Sequence, residues 1–229
     1  MGIHTNIFEG ETVDQLAQRM IDHILKWKSL DAFTNHQVNQ VLDKVESVLK
    51  PLPAMLQLEH PITVVGDIHG QLDALIRYFD VIGYPPNVQF LFLGDYVDRG
   101  AKSLETSMLL FCYKIRHSQM IHLLRGNHEC MKMNRLYGFH EELVRKRDST
   151  MWRKYQKVFN QLSLCARIGQ NILCMHGGIS QNCTSWESFH ALKKPHTPKT
   201  CDDGLSVDLM WADPTQDKCS AFAMNTVSF

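Results

Sequence analysis

The sequence predicts an α/β fold, and three features of its pattern support that prediction. Short apolar runs rich in β-branched and aromatic residues alternate with segments of helical periodicity between residues 61 and 180. Three of these runs joined by two helical segments form a βαβαβ unit, which implies neighbouring parallel strands with right-handed crossovers. Polar segments containing glycine follow the strands. The 229 residues can bury a core of their own, so we expect one domain over 1–229.

The first fifty residues predict a layer of two helices. Thr12 and Gln15 match a helix-capping box, and Thr34 and Gln37 repeat the pattern. Apolar residues recur at helical spacing after each of these caps, as they do on a helix that packs against a core. We expect residues 1–50 to cover the core and to carry no chemistry.

The predicted core occupies residues 61–180, and a polar segment follows at 181–229. The pattern of Pro, polar and apolar residues in 181–206 favours a surface loop with some helix. The predicted elements are a buried strand at 62–65, a helix from Leu72 that stops at Gly83, strands at 89–93 and 120–124 on either side of a helix at 103–117, helices at about 138–147 and 149–164, a fourth strand at 172–175 and a fifth that starts at 208–211.

Composition and charge argue against several classes of function. Lys and Arg together number 24, as do Asp and Glu, so nothing favours nucleic acid or an anionic membrane as a partner. The seven Cys include no CxxC pair, which argues against a zinc ribbon and a disulfide framework. The N-terminal residues lack a secretory signal pattern, and no apolar stretch is long enough to span a membrane. We expect a protein of the cytoplasm, the nucleus or both.

Metal-binding side chains follow four of the predicted strands. Because ligands collect beyond the carboxyl ends of parallel strands, these side chains should meet at one edge of the sheet. Two of them are two residues apart, a spacing that directs both to the same side of an extended segment. The residues are Asp67 and His69 after the first strand, Asp95 after the second, Asn127 after the third and His176 after the fourth.

Carboxylate, imidazole and amide donors without a thiolate suit iron, manganese or zinc better than calcium. Two divalent ions about 3.5–4 Å apart need a shared anionic bridge, and we assign that role to Asp95 because it follows the middle strand. The first ion then takes Asp67 and His69 together with Asp95. The second takes Asn127 and His176 together with Asp95.

Side chains next to these ligands suit the hydrolysis of a phosphate ester. The two ions would convert a shared water into a nucleophile. Arg99 offers a planar fork for phosphate oxygens, and Arg125 is a second cationic candidate. His128 could donate a proton to the leaving oxygen while Asp98 holds its ring. Each residue alone has an ordinary structural explanation, and it is their combination at four strand ends that predicts metal-assisted phosphate chemistry.

Four motifs in this chain resemble the signature of the metal-dependent PPP serine/threonine phosphatases. The similarity runs over about residues 13–215, and the segment 134–139 is most similar to the type 1 branch. The motifs are Gly66-Asp67-Ile68-His69-Gly70, Gly94-Asp95-Tyr96-Val97-Asp98-Arg99-Gly100, Leu124-Arg125-Gly126-Asn127-His128-Glu129 and His176-Gly177-Gly178-Ile179-Ser180.

The resemblance implies a metallophosphoesterase-type β-sandwich flanked by helices and the hydrolysis of phosphoserine and phosphothreonine in proteins. Phosphoproteins are therefore the expected partners. It also implies that Tyr137 lines the cleft in which toxin inhibitors of this family bind and that Asp213 lies near the active centre. The expected catalytic residues are His128, Asp98 and Arg99. The expected substrate-binding residues are Arg99, Arg125, Asn127, Tyr137 and Asp213.

Catalytic domains of that family continue well past Phe229, where this sequence stops. The continuation carries a further phosphate-binding Arg, a further His ligand and several strands, so we expect C-terminal strands to be missing from the sheet in 181–229. The pocket that binds short regulatory motifs in type 1 enzymes draws on the same continuation and should be incomplete. Two alternatives stay open: an inactive relative that binds proteins without turnover, and a metallophosphoesterase of small nucleotide-type substrates.

Overall fold

The computed structural model describes residues 10–197, 204–214 and Phe222, and it places the strands of these residues in two sheets. None of the helices in those ranges combines the length and the apolar composition that crossing a bilayer requires. In chain order the elements are α1 (Val13–Trp27), α2 (Asn35–Leu49), β1 (Met55–Leu58), β2 (Thr63–Val65), α3 (Leu72–Ile82), β3 (Phe90–Phe92), α4 (Ser103–Arg116), β4 (Ile121–Leu123), a 3₁₀ turn (Asn127–Glu129), α5 (Met131–Leu136), α6 (Phe139–Lys146), α7 (Ser149–Phe159), β5 (Cys165–Ile168), β6 (Ile172–Met175), α8 (Trp186–His190) and α9 (Gly204–Trp211).

Both predicted capping boxes start helices. The Thr12 hydroxyl accepts a hydrogen bond from the N–H of Gln15 at 3.2 Å, and the Gln15 side chain accepts from the N–H of Thr12 at 2.9 Å. Thr34 and Gln37 repeat this exchange at the start of α2. The apolar faces of the two helices pack against α4 and against each other. The N-terminal helices therefore form a layer over α4.

Helix α4 lies at the centre of the molecule. All thirteen residues from 103 to 115 are buried, because α1, α2, α3, α6 and β4 surround the helix. The sequence predicted a single apolar side, yet Glu105 and Lys114 are buried as well. Each has partners: Glu105 accepts from Lys146 at 2.7 Å, and Lys114 donates to carbonyls just beyond the end of its own helix at 2.7 and 2.8 Å.

The predicted βαβαβ unit is confirmed. Strand β3 pairs in parallel with β2 on one side and with β4 on the other, and α3 and α4 are the crossovers. The residues of β3 are fully buried. The prediction of a buried first strand is wrong in part, since Val64 of β2 is 44% exposed. Among the strands described, β2 lies at an edge of this sheet, where one face meets solvent.

The second sheet contains two strands that the sequence analysis missed. Its order is β1-β5-β6, with β1 parallel to β5 and β5 antiparallel to β6. Strand β5 occupies part of the connection after α7, which ends at residue 159 and not near 164. Leu56 and Ala166 of this sheet pack with Leu91 of β3 and with Leu124, which directly follows β4. The two sheets therefore face each other as a β-sandwich.

The predicted fifth strand at 208–211 is wrong, because these residues form the end of α9. A short apolar run does not distinguish a strand from a helix by its periodicity. Leu209 and Met210 are buried with Phe189 of α8, which places this helix against the second sheet. The prediction of a truncated C-terminal sheet covers 181–229, of which residues 198–203, 215–221 and 223–229 lie outside the described residues. Residues 1–9 also lie outside them.

His196 is a buried histidine whose two ring nitrogens have no hydrogen-bond partner in the described part of the chain. Burial, together with the positive charges of Arg125 and Lys194, lowers its pKa to about 3. The unfolded chain takes up a proton at this residue near pH 6.5, whereas the folded chain does not. Stability must therefore fall as the pH drops from about 6.5 towards 3.

Replacing His196 should reduce the sensitivity of the fold to acid. Between about pH 7 and about pH 5 the wild-type chain should lose about 1–2 kcal/mol more unfolding free energy than His196→Leu, because only the wild type carries the titrating ring. Urea unfolding at the two pH values measures the difference. The exposed His36 supplies a matched control, since His36→Leu should keep the wild-type response. Equal losses in wild type and His196→Leu would contradict the prediction.

Candidate metal centre

The ends of β2, β3 and β4 bring three of the predicted ligand segments to one edge of the first sheet. Asp67 follows β2, Asp95 follows β3 and Asn127 follows β4. His176 does not share that edge, because it follows β6 in the second sheet. The prediction of a single sheet edge is therefore wrong for His176, which reaches the same cleft from the facing layer of the sandwich.

Asp67 and His69 meet through a turn. The Nε2 atom of His69 lies 3.7 Å from a carboxylate oxygen of Asp67 and 3.4 Å from one of Asp95. The backbone of His69 has a φ of +45°, so the predicted extended segment is wrong although the side chains do converge. His69 Nδ1–H donates to the Val97 carbonyl at 2.8 Å, and burial lowers the pKa of the ring. A neutral ring with Nε2 facing two carboxylates is the form that binds a metal ion.

Two groups of possible ligands share Asp95. One contains His69, Asp95 and His128, and the other contains Asp67, Asp95 and His176; within each group the ligand atoms lie within 4.8 Å of one another. The Nδ1 atom of His176 lies 3.7 Å from a carboxylate oxygen of Asp67, and its Nε2 atom lies 3.5 Å from a carboxylate oxygen of Asp95. Burial lowers the pKa of His176, which favours its neutral form. Asp95 lies between the two groups and is therefore positioned to serve as a ligand in both.

Several atoms of this cluster lack the partners that buried polar atoms normally have. Nε2 of His69, Oδ1 of Asn127 and Nδ1 of His176 are buried without a hydrogen bond from any described residue. Burial also raises the pKa of Asp95 and that of Glu129 to about 7, and the negative charge of a neighbouring carboxylate adds to the effect at both residues. Nitrogen and oxygen donors with excess negative charge fit divalent metal ions, which would supply both the missing partners and the missing charge.

His128 and Asp98 form a buried pair beside the cluster. His128 Nδ1–H donates to Asp98 at 2.7 Å, and the backbone N–H of His128 donates to Asp95 at 2.9 Å. Burial opposes the charged ring, but the bond to Asp98 and the negative charges of Asp95 and Glu129 outweigh it and raise the pKa of His128. Its Nε2 atom lies 3.3 Å from the Arg99 guanidinium. With Nδ1–H bonded to Asp98, Nε2 of His128 accepts a hydrogen bond from the Arg99 guanidinium that lines the cleft.

The cleft above the cluster has a volume of about 270 Å³. Arg99 lines it together with Asp67, Asp95, Asn127 and His176, and the segment 210–214, which includes Asp213, forms another wall. The ring of Tyr137 is 46% exposed and stands 5.3 Å from the ring of His128, centroid to centroid. Apart from Arg125, the structure brings the predicted substrate-binding side chains to this cleft or beside it.

Arg125 does not reach the cleft, so its prediction as a substrate-binding residue is wrong. Its buried guanidinium donates twice to the Glu129 carbonyl, at 3.0 and 3.2 Å, once to the Asn160 side chain at 3.1 Å, and to the His196 carbonyl. A buried guanidinium must find acceptors for its N–H groups, and here backbone and amide oxygens supply them. Arg125 therefore anchors the 3₁₀ turn from beneath.

Glu129 is the important residue of this site to which sequence analysis assigned no role. Its fully buried carboxylate accepts the N–H groups of Asp95, Tyr96 and Gly126 at 2.7, 2.9 and 3.0 Å. It therefore joins the loop after β3 to the loop after β4. The sequence feature that could have pointed to Glu129 is its position directly after Asn127 and His128, two residues with predicted chemical roles.

The backbone of the site is strained where it carries functional side chains. Of the residues that the structure describes, five other than glycine have a positive φ, and four of them belong to the site. Such conformations persist only where the surroundings hold them in place. These four are His69 at +45°, Asp95 at +55°, Asp98 at +73° and Arg99 at +64°.

Two glycines allow the loops after β3 and β4 to touch. A Cβ atom on Gly94 would lie 2.2 Å from the backbone nitrogen of Gly126, and a Cβ atom on Gly126 would lie 2.2 Å from the Asp95 carboxylate. No side chain fits at these distances. The absence of a side chain at both positions therefore lets Asp95 lie directly against the neighbouring loop.

Gly126→Ala should displace the Asp95 carboxylate and weaken the binding of Mn²⁺ by about 10–100-fold, which is typical when support for a ligand is lost. Isothermal titration calorimetry with Mn²⁺ measures the effect, and circular dichroism checks the fold. Gly66→Ala is the matched control, because Gly66 also precedes a predicted ligand but has open space around its Cβ position. Wild-type affinity in Gly126→Ala would contradict this account of the site.

The fold and the site agree with comparisons against known proteins. Residues 60–226 match the model of a family described as calcineurin-like phosphoesterases, a fold that implies divalent metal ions. A solved protein serine/threonine phosphatase from Saccharomyces cerevisiae, described as similar to human phosphatase PP5, superposes with a TM-score of 0.81 at 30% identity. That match covers 87% of this chain and 66% of the yeast chain, and it confirms the predicted sandwich flanked by helices.

Two proteins from Caenorhabditis elegans are similar to this chain in amino-acid sequence. One, named as a serine/threonine-protein phosphatase, is 47% identical over 204 residues, which is 89% of this chain and 45% of that protein. The other, serine/threonine-protein phosphatase PP1-delta, is 44% identical over 206 residues, or 89% of this chain and 67% of that protein. The chain thus spans about half to two thirds of the length of these relatives. It belongs to the calcineurin-like phosphoesterase family, within the branch of the PPP serine/threonine phosphatases.

Proposed function

We propose that this chain hydrolyses phosphoserine and phosphothreonine in proteins. The observation that carries the proposal is the cleft in which Arg99 and the buried His128–Asp98 pair lie beside a cluster of candidate cation ligands. The ligands are Asp67, His69, Asp95, Asn127 and His176. This arrangement supplies a phosphate-binding group, a proton donor and a site for cations. The identity of 44–47% with proteins named serine/threonine phosphatases supports the choice of phosphoproteins as substrates.

The proposed cofactors are two divalent ions, with manganese or iron preferred and zinc as the alternative. Asp67, His69, Asp95, Asn127 and His176 are the residues that would hold them. Bound ions of this kind lower the pKa of water and offset the negative charge of a phosphoryl group. The three unpartnered donor atoms of the cluster support the assignment.

Arg99 and His128 act on opposite parts of the phosphate ester. The Arg99 guanidinium donates hydrogen bonds to phosphate oxygens, a charge-assisted interaction with matching planar geometry. In the structure this guanidinium donates to Nε2 of His128 at 3.3 Å. When the guanidinium turns to the phosphate, Nε2 of the protonated ring is released to donate its proton to the leaving oxygen. Asp98 keeps Nδ1 protonated and the ring in place. The raised pKa of His128 favours the protonated ring that a general acid requires.

The chain supplied with Mn²⁺ should hydrolyse a phosphoserine peptide, and His128→Asn should lower kcat by about 10²–10⁴-fold because the leaving alkoxide then departs without a proton. Asp95→Asn should abolish turnover because it removes the ligand shared by both groups. Phosphate release from the peptide measures both effects. His190→Asn, at an exposed position on α8, should keep wild-type activity.

The same assay separates the alternatives. Binding of two Mn²⁺ ions without turnover of any phosphate ester would contradict the proposal and favour a binding protein. Faster cleavage of nucleotide phosphates than of phosphopeptides would favour an enzyme of small substrates.

The two arginines should respond differently to substitution. Arg99→Lys should lower kcat/KM for the phosphopeptide by about 10–100-fold with little change in stability, because it removes a bidentate contact in the cleft. Arg125→Lys should lower the unfolding free energy by about 2–4 kcal/mol and leave the KM of the folded protein within about twofold, because its hydrogen bonds are internal. Steady-state kinetics and urea unfolding measure the two effects. A stable Arg125→Lys protein with a greatly raised KM would restore Arg125 to the substrate site.

A further inference from the structure

Asp98, which holds the ring of His128, is itself held by the first residues of two helices. The Asp98 backbone N–H donates to the hydroxyl of Ser103, the first residue of α4, at 3.1 Å. The N–H of Phe139, the first residue of α6, donates to the free oxygen of the Asp98 carboxylate at 2.8 Å. The position of Asp98 therefore depends on how the starts of α4 and α6 are placed relative to each other.

The loop around Asp98 needs this support. Asp98 and its neighbour Arg99 have φ values of +73° and +64°, in the left-handed region that residues with a side chain avoid. Without contacts from both helices the loop would relax to a more favourable conformation. Both the His128 ring and the Arg99 guanidinium would then move.

Glu142 joins the two helix starts. It lies one turn after Phe139 on α6, and its buried carboxylate accepts the N–H groups of Ser103 and Leu104, each at 3.0 Å. These N–H groups belong to the first turn of α4, where backbone donors lack partners within the helix. Lys102, at the N-cap position of α4, has no acceptor atom in its side chain. A carboxylate from another helix therefore caps α4.

Charge balance makes this cap stable. Lys146, one turn further along α6, donates to Glu142 at 2.9 Å and to Glu105 of α4 at 2.7 Å. Burial of Lys146 opposes its charge, but the two carboxylates outweigh this effect and raise its pKa. A buried carboxylate persists when it has such a partner. The link between α4 and α6 thus has both a hydrogen-bonded and an ionic component.

We propose that Glu142 is a positioning residue for the phosphatase reaction. By capping α4 from α6, Glu142 fixes Asp98 between the two helix starts, and through Asp98 it fixes the ring of His128. Glu142 is not among the described residues that line the cleft, so it acts without touching substrate. This role rests on the proposed function, in which His128 donates the proton to the leaving oxygen.

A nuclear magnetic resonance measurement tests the placement of His128 without using activity. The proton between His128 Nδ1 and Asp98 gives a downfield signal in spectra of the full chain, because the 2.7 Å bond is short and buried. Glu142→Gln should shift or broaden this signal. Each carboxylate oxygen of Glu142 accepts one N–H group, and in the amide one of these oxygens is replaced by an NH₂ group that only donates. The matched control is Glu141→Gln, which makes the same change at the exposed neighbouring position and should leave the signal unchanged.

Kinetics then separate positioning from simple loss of structure. With Mn²⁺ present, Glu142→Gln should lower kcat for a phosphoserine peptide by about 10–100-fold and leave KM within about twofold, as expected when a proton donor is misplaced. Hydrolysis of p-nitrophenyl phosphate should fall much less, because its phenolate leaves without needing a proton. Loss of folded protein would lower both activities equally.

Ser103→Ala tests the same chain of contacts at a second residue. It replaces Glu142→Gln as the test if that variant does not fold. It removes the acceptor for Asp98 and should show the same dependence on the leaving group. The double variant should lose little more than the more impaired single variant, because both changes break one chain of contacts.

The outcomes distinguish this proposal from the function on which it rests. An unchanged His128 signal in both variants, or equal losses on the two substrates, overturns the positioning role. If the wild-type chain hydrolyses neither substrate while the signal responds as described, the proposed function fails and the placement of His128 by Glu142 is supported.

Discussion

The site depends on one buried carboxylate. Glu129 accepts N–H groups from the loops after β3 and β4 and so determines how closely those loops approach. Gly94 and Gly126 permit the approach, since neither position has room for a side chain. Asp95 is thereby held in a left-handed conformation against the neighbouring loop, with its carboxylate close to three histidines. Burying Glu129 beside Asp95 is electrostatically unfavourable, and cations bound nearby would offset that repulsion.

Much of the fold follows from local patterns in the sequence. The two capping boxes, the glycine after α3 and the buried strand β3 are where the pattern places them, because each depends on a few adjacent residues. The errors occur where tertiary contacts decide. The segment 208–211 is too short for its periodicity to be informative, and packing against the second sheet makes it helical. Val64 is exposed because of its place at a sheet edge, which its own sequence does not encode.

The site shows the same division between local and tertiary information. The sequence predicts which side chains carry chemistry, because Asp95 and His128 lie in motifs that follow strands. It does not predict the direction of Arg125, whose guanidinium turns away from the cleft to satisfy its donors beneath the 3₁₀ turn. It also passes over Glu129 and Glu142, whose partners are backbone N–H groups of other segments. Hydrogen bonds to the backbone leave little trace in residue patterns, since any residue can supply the donor.

The division of the cation ligands between the two sheets has a consequence for folding. His176 follows β6, and the other candidate ligands follow the strands of the first sheet, so complete coordination exists only when the sandwich is closed. Ions that need all of these ligands bind the closed state and not the open one. Their concentration therefore acts on the docking equilibrium of the two layers by mass action. Removal of the ions therefore weakens the docking of the two layers, which are held together otherwise by the apolar side chains between the sheets.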